Sequence, residues 1–307
     1  MPGTYFGPHR EQYSDYAHSG NANLGRYPLG HTLILPDDRE YRFTLNDGTV
    51  EVAGNLYQSV VGLAGHTNRG ADVARAIGAT AIGGNITTTV AAADIYAEGT
   101  AHTNNDTGAG YSYRIRRAMT AGAAHASAAS TAALTVNLDV GESVQVAIDT
   151  TTEVTFTRNR YHAALITAAP PTAPLTGVSP GVAAADRFYW SQVKGYAAVQ
   201  AQIGTLYAGL PVQAGITTGG RIESYKRRVR TGGTTVIFLS NTAIWGAPLS
   251  DSDGSDVVVY AIASVISAAA AATYDISAGI AYNAPIVGMC VKANASTEFA
   301  LIDLNIT

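Results

Sequence analysis

From Tyr27 onward the chain runs in short stretches that alternate bulky and polar residues and stop at Gly, Pro, Asn or Asp. This two-residue period limits the possible folds more than any other feature, because it places alternate side chains on opposite faces of an extended strand. "HTLILP" leads to Pro36-Asp37-Asp38, "REYRFTL" follows, Asn46-Asp47-Gly48 interrupts, and "TVEVAG" continues, a hairpin grammar. In "REYRFTL", Tyr41, Phe43 and Leu45 share one face while Arg42 and Thr44 take the other. Further strand-like runs lie in "LTVNLDVGESVQVAIDTTTEVTFT", "GTLYAGLPVQAG", "TTVIFLS", "DVVVYAIASVIS", "VGMCVKA" and "EFALIDLNIT". In the last of these, Ala300, Ile302, Leu304 and Ile306 face one way, so the end of the chain is expected inside a sheet. Helical signals are sparse: one short helix around Ala71–Ile77, and an alanine-rich stretch at 121–134 without an apolar stripe.

The expected fold is therefore mainly β, two antiparallel β-sandwich or barrel-like domains with an extended N-terminal arm and little helix. Residues 1–26 are the arm, 27–168 an N-terminal β-domain, 169–186 a Pro/Gly/Ala-rich linker, and 187–307 a C-terminal β-domain. A chain of 307 residues buries roughly 75% of its unfolded surface, enough for a self-sufficient core. The arm has no periodicity, and ordering it costs about 1–2 kcal/mol per residue, so it orders only against something. Tyr5, Tyr13 and Tyr16 offer amphipathic contacts for a neighbouring subunit; the alternative is an unattached tail.

Composition narrows the partners. Hydrophobic residues make up 47%, much of it alanine, and charged residues 14%, against about 25% in an ordinary globular chain. A surface so lightly charged suits burial by neighbours. The net charge of −4 gives no field that would draw the chain to nucleic acid or an anionic membrane. Of 19 basic residues three are lysines, Lys194, Lys226 and Lys292, which leaves 19 − 3 = 16 arginines, the residue suited to planar, bidentate contacts. Cys290 is alone, so disulfides within the chain and multi-cysteine metal sites are excluded, and a buried, inert thiol is expected. No run is long and apolar enough for a helical membrane span, and "MPGTYFGPHREQ" lacks signal-peptide order, so the expectation is synthesis in a cytoplasm without membrane attachment.

Chemistry-bearing motifs are few. "GVSPG" fits the letters of a hydrolase elbow at Ser179, but the residue after the serine is Pro180, which lacks the N–H an oxyanion hole requires. None of the three lysines closes a phosphate-binding loop. The seven histidines (9, 18, 31, 66, 102, 125 and 162) show no metal-binding spacing. Asp251, Asp253 and Asp256 in "DSDGSD" are the weak candidates for a hard cation, against the simpler reading of a solvated turn. "YRIRR" (113–117) and "YKRRVR" (225–230) are the basic clusters. Arg114 and Arg116, and on a strand Lys226, Arg228 and Arg230, form short cationic stripes suited to an acidic protein partner or simply to solvent. No cofactor and no enzymatic activity are expected.

"DRFYWSQVKGYAAVQA" sets Phe188, Tyr189 and Trp190 side by side. As a strand it points Phe188, Trp190 and Gln192 one way and Tyr189, Ser191 and Val193 the other, so both faces require cover, and Gly195 permits a bend or close approach. This stretch, with "GTLYAGLPVQAG" and the closing "APIVGMCVKANASTEFALIDLNIT", resembles virion structural proteins encoded near the major capsid protein of tailed bacteriophages. Those proteins pair an aromatic W-x-Q-x-x-G strand with a closing V-G-x-x-x-x-A … E-(Y/F)-A-L-(I/V)-x-L strand. "YPLGHTLILPDDREYRFTLNDGTVEVAGNLYQ" is similar to such proteins as well. The resemblance implies a capsid decoration or cement protein on the virion exterior, a homotrimer bound to the major capsid protein, with no catalytic residue. Two other readings stay open: a tail-tube or fibre subunit, and a surface carbohydrate-binding module with Trp190 or Trp245 as a stacking platform.

Overall fold

The computed structural model describes residues 3–14, 16–17, 26–87, 95–117, 132–202, 206–225, 228–230, 236–238, 284–293 and 298–306. Its strands, in chain order, begin with β1 (Thr4–Phe6), β2 (Tyr16–Ala17), β3 (Thr32–Ile34), β4 (Glu40–Leu45), β5 (Leu56–Gln58), β6 (Arg69–Gly70) and β7 (Ala81–Ile86). They continue with β8 (Thr100–Thr103), β9 (Ser112–Arg114), β10 (Ala132–Asn137), β11 (Glu153–Thr157), β12 (Leu165–Ile166), β13 (Leu175–Val178) and β14 (Arg187–Gln200). The last are β15 (Pro211–Ala214), β16 (Ile222–Ser224), β17 (Arg228–Arg230), β18 (Val236–Phe238), β19 (Ile286–Lys292) and β20 (Phe299–Asn305). The protein is mainly β, and among the described residues its helical content is one short 3₁₀ turn, His9–Tyr13.

Twelve strands join one sheet whose main path runs β1-β3-β4-β14-β20-β19-β15-β16. The β1–β3 pair is parallel; the other pairs along the path are antiparallel. β14 is its spine. Residues 188–194 pair with β4, residues 194–200 with β20, and β2 and β13 also attach to it. The three aromatics serve this position. Phe188 and Trp190 point into a cluster with Tyr41, Phe43, Leu29, Leu33, Leu35 and Leu45, while Tyr189 on the other face is also buried. Phe43 stacks on Phe188 at 5.2 Å and meets Trp190 edge-on at 5.0 Å. Burying each such ring contributes about 3 kcal/mol before entropy, and each ring pair roughly another 1 kcal/mol.

This pairing crosses the boundary expected at 169–186. β4 comes from before it and β20 from after it, yet both flank β14. The supposed linker supplies β13, all four residues of which are buried. Its glycine reflects close packing: Gly177 has φ of 137°, and a Cβ there would lie 2.4 Å from Ser191 Oγ and 2.6 Å from the Gln192 carbonyl oxygen. Gly195 behaves as expected. Its φ is 82°, a Cβ would meet Arg39 Cγ at 2.8 Å, and the β14–β4 register shifts between Gln192 and Lys194.

The arm lies on its own chain. β1 extends the sheet edge at β3, β2 pairs with β14, and Tyr5 and Tyr16 pack against the aromatic cluster. Gln12 is buried and accepts a hydrogen bond from Arg39 Nη1 at 2.9 Å.

Between β5 and β12 the chain makes a module of two small sheets, β6-β11-β8-β9 and β10-β7, around Ile82, Ile115, Val136, Val154 and Phe156. An ion pair with a buried carboxylate ties it to the main sheet: Glu98 lies 3.2 Å from Arg117 Nε and accepts the Leu29 N–H at 2.5 Å, while Arg117 Nη2 donates to the Tyr27 carbonyl at 3.1 Å. The helix expected around Ala71–Ile77 is absent. Ala71 bridges Gly84 and Arg75 bridges Ile148, and Val73 and Ile77 are exposed, so no apolar stripe favours a helix over these extended backbone bonds. "TVEVAG" and "VQVAID" likewise form no regular strand.

Gly177→Ala is expected to destabilise the protein by roughly 2–4 kcal/mol, since it combines a left-side φ with a clash against β14. Gly48→Ala, where an added Cβ meets nothing within 4 Å, should leave stability unchanged in the same denaturant titration.

Candidate functional site

The two faces of the β14–β20–β19 sheet differ. Inward, Val193, Ala197, Val199, Ala300, Ile302, Leu304, Val287 and Cys290 form one core cluster. Outward, alternation leaves Tyr196, Phe299, Met289 and Val291 exposed, with Ile286 beside them. Register places Tyr196, Asp303 and Met289 in one row across the three strands. Tyr196 is 58% exposed, Met289 51% and Phe299 45%. A solvated antiparallel sheet ordinarily keeps such positions polar, whereas here exposed apolar side chains flank Asp303.

Two adjoining clefts share Lys194 and Asp303 along this face. One, of about 580 Å³, is walled by Tyr196 and the Asp37–Arg39 turn; the other, of about 520 Å³, by Pro211, Ile286 and Met289. Charges at the rim are mostly spoken for. Lys194 Nζ lies 2.9 Å from Glu40 Oε1, which raises the lysine pKa, and Arg39 Nε lies 2.7 Å from Asp37 Oδ2. Slight burial pushes Asp37 up, but the bonds and charge of Arg39 outweigh it and hold the carboxyl below its ordinary value. Asp38 and Asp303 make no ion pair among the described residues.

The residues singled out in the sequence do not converge. Tyr5 stacks on Tyr27 at 5.8 Å and Tyr16 packs 5.6 Å from Phe43, so both are committed to this chain's own core rather than to a neighbour; Tyr13 is 63% exposed. Arg114 Nε lies 3.2 Å from Asp139 Oδ2, and Arg116, beyond the buried Ile115, is exposed. Arg228 and Arg230 occupy β17 opposite Phe238 and Val236, but their side chains, and all of Lys226, Asp251, Asp253, Asp256 and Trp245, lie outside the described residues. Trp190 is fully buried and therefore no stacking platform. Ser179 is buried, and its hydroxyl donates to the Gly181 carbonyl at 2.6 Å. Cys290 is buried, which pushes its thiol pKa up. Among the described residues no three His, Cys, Asp or Glu side chains come together as metal ligands.

Sequence reasoning missed this outer face, although the alternation that buries Ala300, Ile302 and Leu304 turns Phe299 and Asp303 outward. It also missed Glu51. This carboxyl is 2% exposed beside the hydroxyls of Tyr57 and Tyr189, and its backbone N–H donates to the Ala183 carbonyl at 2.8 Å, under the loop that meets Gln12–Ser14 of the arm. Burial pushes its pKa up to about 8. No protein-family model matches the chain, and searches of curated proteins and of solved structures gave no match.

Because the folded pKa of Glu51 exceeds its ordinary 4.5, the folded protein holds a proton that the unfolded chain releases between those values. Its contribution is complete below about pH 4.5 and is lost as pH rises towards 8. Glu51→Gln should remove this decline, leaving the variant more stable than the parent at pH 8 by a few kcal/mol and little changed at pH 4.5, as read by denaturant melts across the range.

Proposed function

We propose that this chain is a non-enzymatic structural component of a tailed-phage virion, a decoration or cement protein seated as a homotrimer on the major capsid protein lattice. The exposed side chains Tyr196, Met289, Val291 and Phe299 on the outer face, around Asp303, carry this reading. They supply a sheet-wide contact surface in a chain with a charged fraction of only 14%. The sequence resemblance points the same way. Since the arm is seated on its own sheet, contact with the lattice falls to this outer face instead. Each copy then needs only a modest contact, because several copies linked in one oligomer add through their high effective concentration on the lattice. The low charge also keeps desolvation at such a contact inexpensive.

One observation favours a second reading, surface glycan recognition. Tyr196 stands exposed beside Asp303 and Asp38, and an aromatic face with free carboxylates can stack a sugar ring and accept its hydroxyls.

Mixed with undecorated phage heads and sedimented, the protein is expected to co-pellet and to give regular density on the head exterior by electron microscopy. Met289→Asp with Val291→Asp should weaken retention at least about tenfold without unfolding the chain, since both side chains are exposed, and retention of the parent should survive high salt. Failure of the parent to bind heads, or undiminished binding by the double variant, overturns the proposal; saturable binding of a soluble glycan, lost in Tyr196→Ala, selects the second reading.

A further inference from the structure

A separate cleft of about 330 Å³ opens where residues 59–62, 157–160 and 172–174 meet. Its charged lining consists of Arg158 and Arg160, and no carboxylate lines it. The two arginines differ in their commitments. Arg160 is fixed by donating through Nε, at 2.9 Å, and through Nη2 to the Leu175 carbonyl, with its guanidinium 5.8 Å from the centre of the Tyr161 ring. Arg158 makes no ion pair or hydrogen bond through its side chain among the described residues, and its Nε is buried without a partner. The hydroxyl of Tyr96, itself hydrogen-bonded to His66, is neutral and supplies no counter-charge. Burial lowers the pKa of Arg158.

Four other arginines are paired with acids, although Arg69, like Arg158, has a buried Nε without a partner. Arg39, Arg75, Arg114 and Arg117 each face a carboxylate within 3.2 Å. A half-buried guanidinium without an anion is costly, and a net charge of −4 leaves no general shortage of acids. The lining supplies what an anion would need besides charge. Thr172 Oγ1 already accepts from Gln58 Nε2 at 2.9 Å, so the threonine proton is free to donate, and Gln58 is held in turn by the Ala168 and Thr172 N–H groups. Ser59 and Thr157 add two further hydroxyls.

We propose that this cleft binds an oxyanion, the carboxylate or phosphate group of a small ligand, with Arg158 as the principal cation, Arg160 as a fixed second positive charge and Thr172 as a neutral donor. The planar fork of Arg158 suits two oxygens of one group. The inference is independent of the capsid reading, because it rests on a different surface.

The test is a titration of the full chain with inorganic phosphate and, separately, with acetate, each against sodium chloride at matched ionic strength, read by calorimetry and by melting temperature. At least one anion should bind saturably and raise the melting temperature by several degrees, and the stronger of the two identifies the class. Arg158→Gln should bind that anion at least about tenfold more weakly, and Arg158→Lys, which keeps the charge but loses the fork, should fall between. In chloride alone Arg158→Gln should melt no lower than the parent, because it removes an unpaired buried charge. Absence of any saturable response in the parent, or equal affinity in parent and Arg158→Gln, overturns the site.

Discussion

The structure depends on β14 being covered on both faces and paired on both edges. Phe188 through Val193 are all buried, so this strand cannot exist as half of an ordinary two-faced sheet. Aromatic rings on one side close against β3 and β4; Tyr189 and Ser191 on the other are sealed by β13 and β5. Through its second half the same strand holds β20, and through β20 the hairpin with β19. Distant parts of the chain are therefore brought together by one strand that none of them covers alone.

Charge is used sparingly and mostly at joints. Glu98 and Arg117 connect the inserted module to the start of the main sheet. Burial raises the Glu98 pKa even though the Leu29 N–H and two arginines act against it. Glu51 is the counterexample, a buried carboxyl with hydroxyls for neighbours, whose protonated form burial favours. Arg158 is its mirror image, a cation without an acid. Protonation completes the electrostatics at Glu51, and in our proposal a bound anion does so at Arg158.

The outer face of the main sheet and the Arg158 cleft answer to different physics. The first is broad, with exposed apolar side chains set among Lys194 and Asp303, and in the proposed reading exchanges water for area in a lattice of repeated contacts. The second is small and polar and gains from one well-placed group. Neither uses Arg114, which is satisfied by Asp139 within its own module.

Local patterning determined the strand-rich class, the β3–β4 hairpin at Pro36-Asp37-Asp38, the inward set Ala300, Ile302, Leu304 and Ile306, the two-sided burial of β14 and the special backbone at Gly195, because each follows from side-chain alternation or from the conformations a residue type permits. Tertiary structure alone decided that β4 and β20 share β14, that 169–186 is packed strand rather than linker, that the arm lies on its own sheet, and that Ala71–Ile77 is extended. These are choices of partner, and partners so distant in sequence leave no trace in a local period. The same reason hid the candidate surfaces. Exposure of Tyr196 and Met289 in one row requires the register of three strands, and the isolation of Arg158 requires knowing which acids stand elsewhere; composition records how many charges a chain has, while only the fold decides which of them remain unpaired.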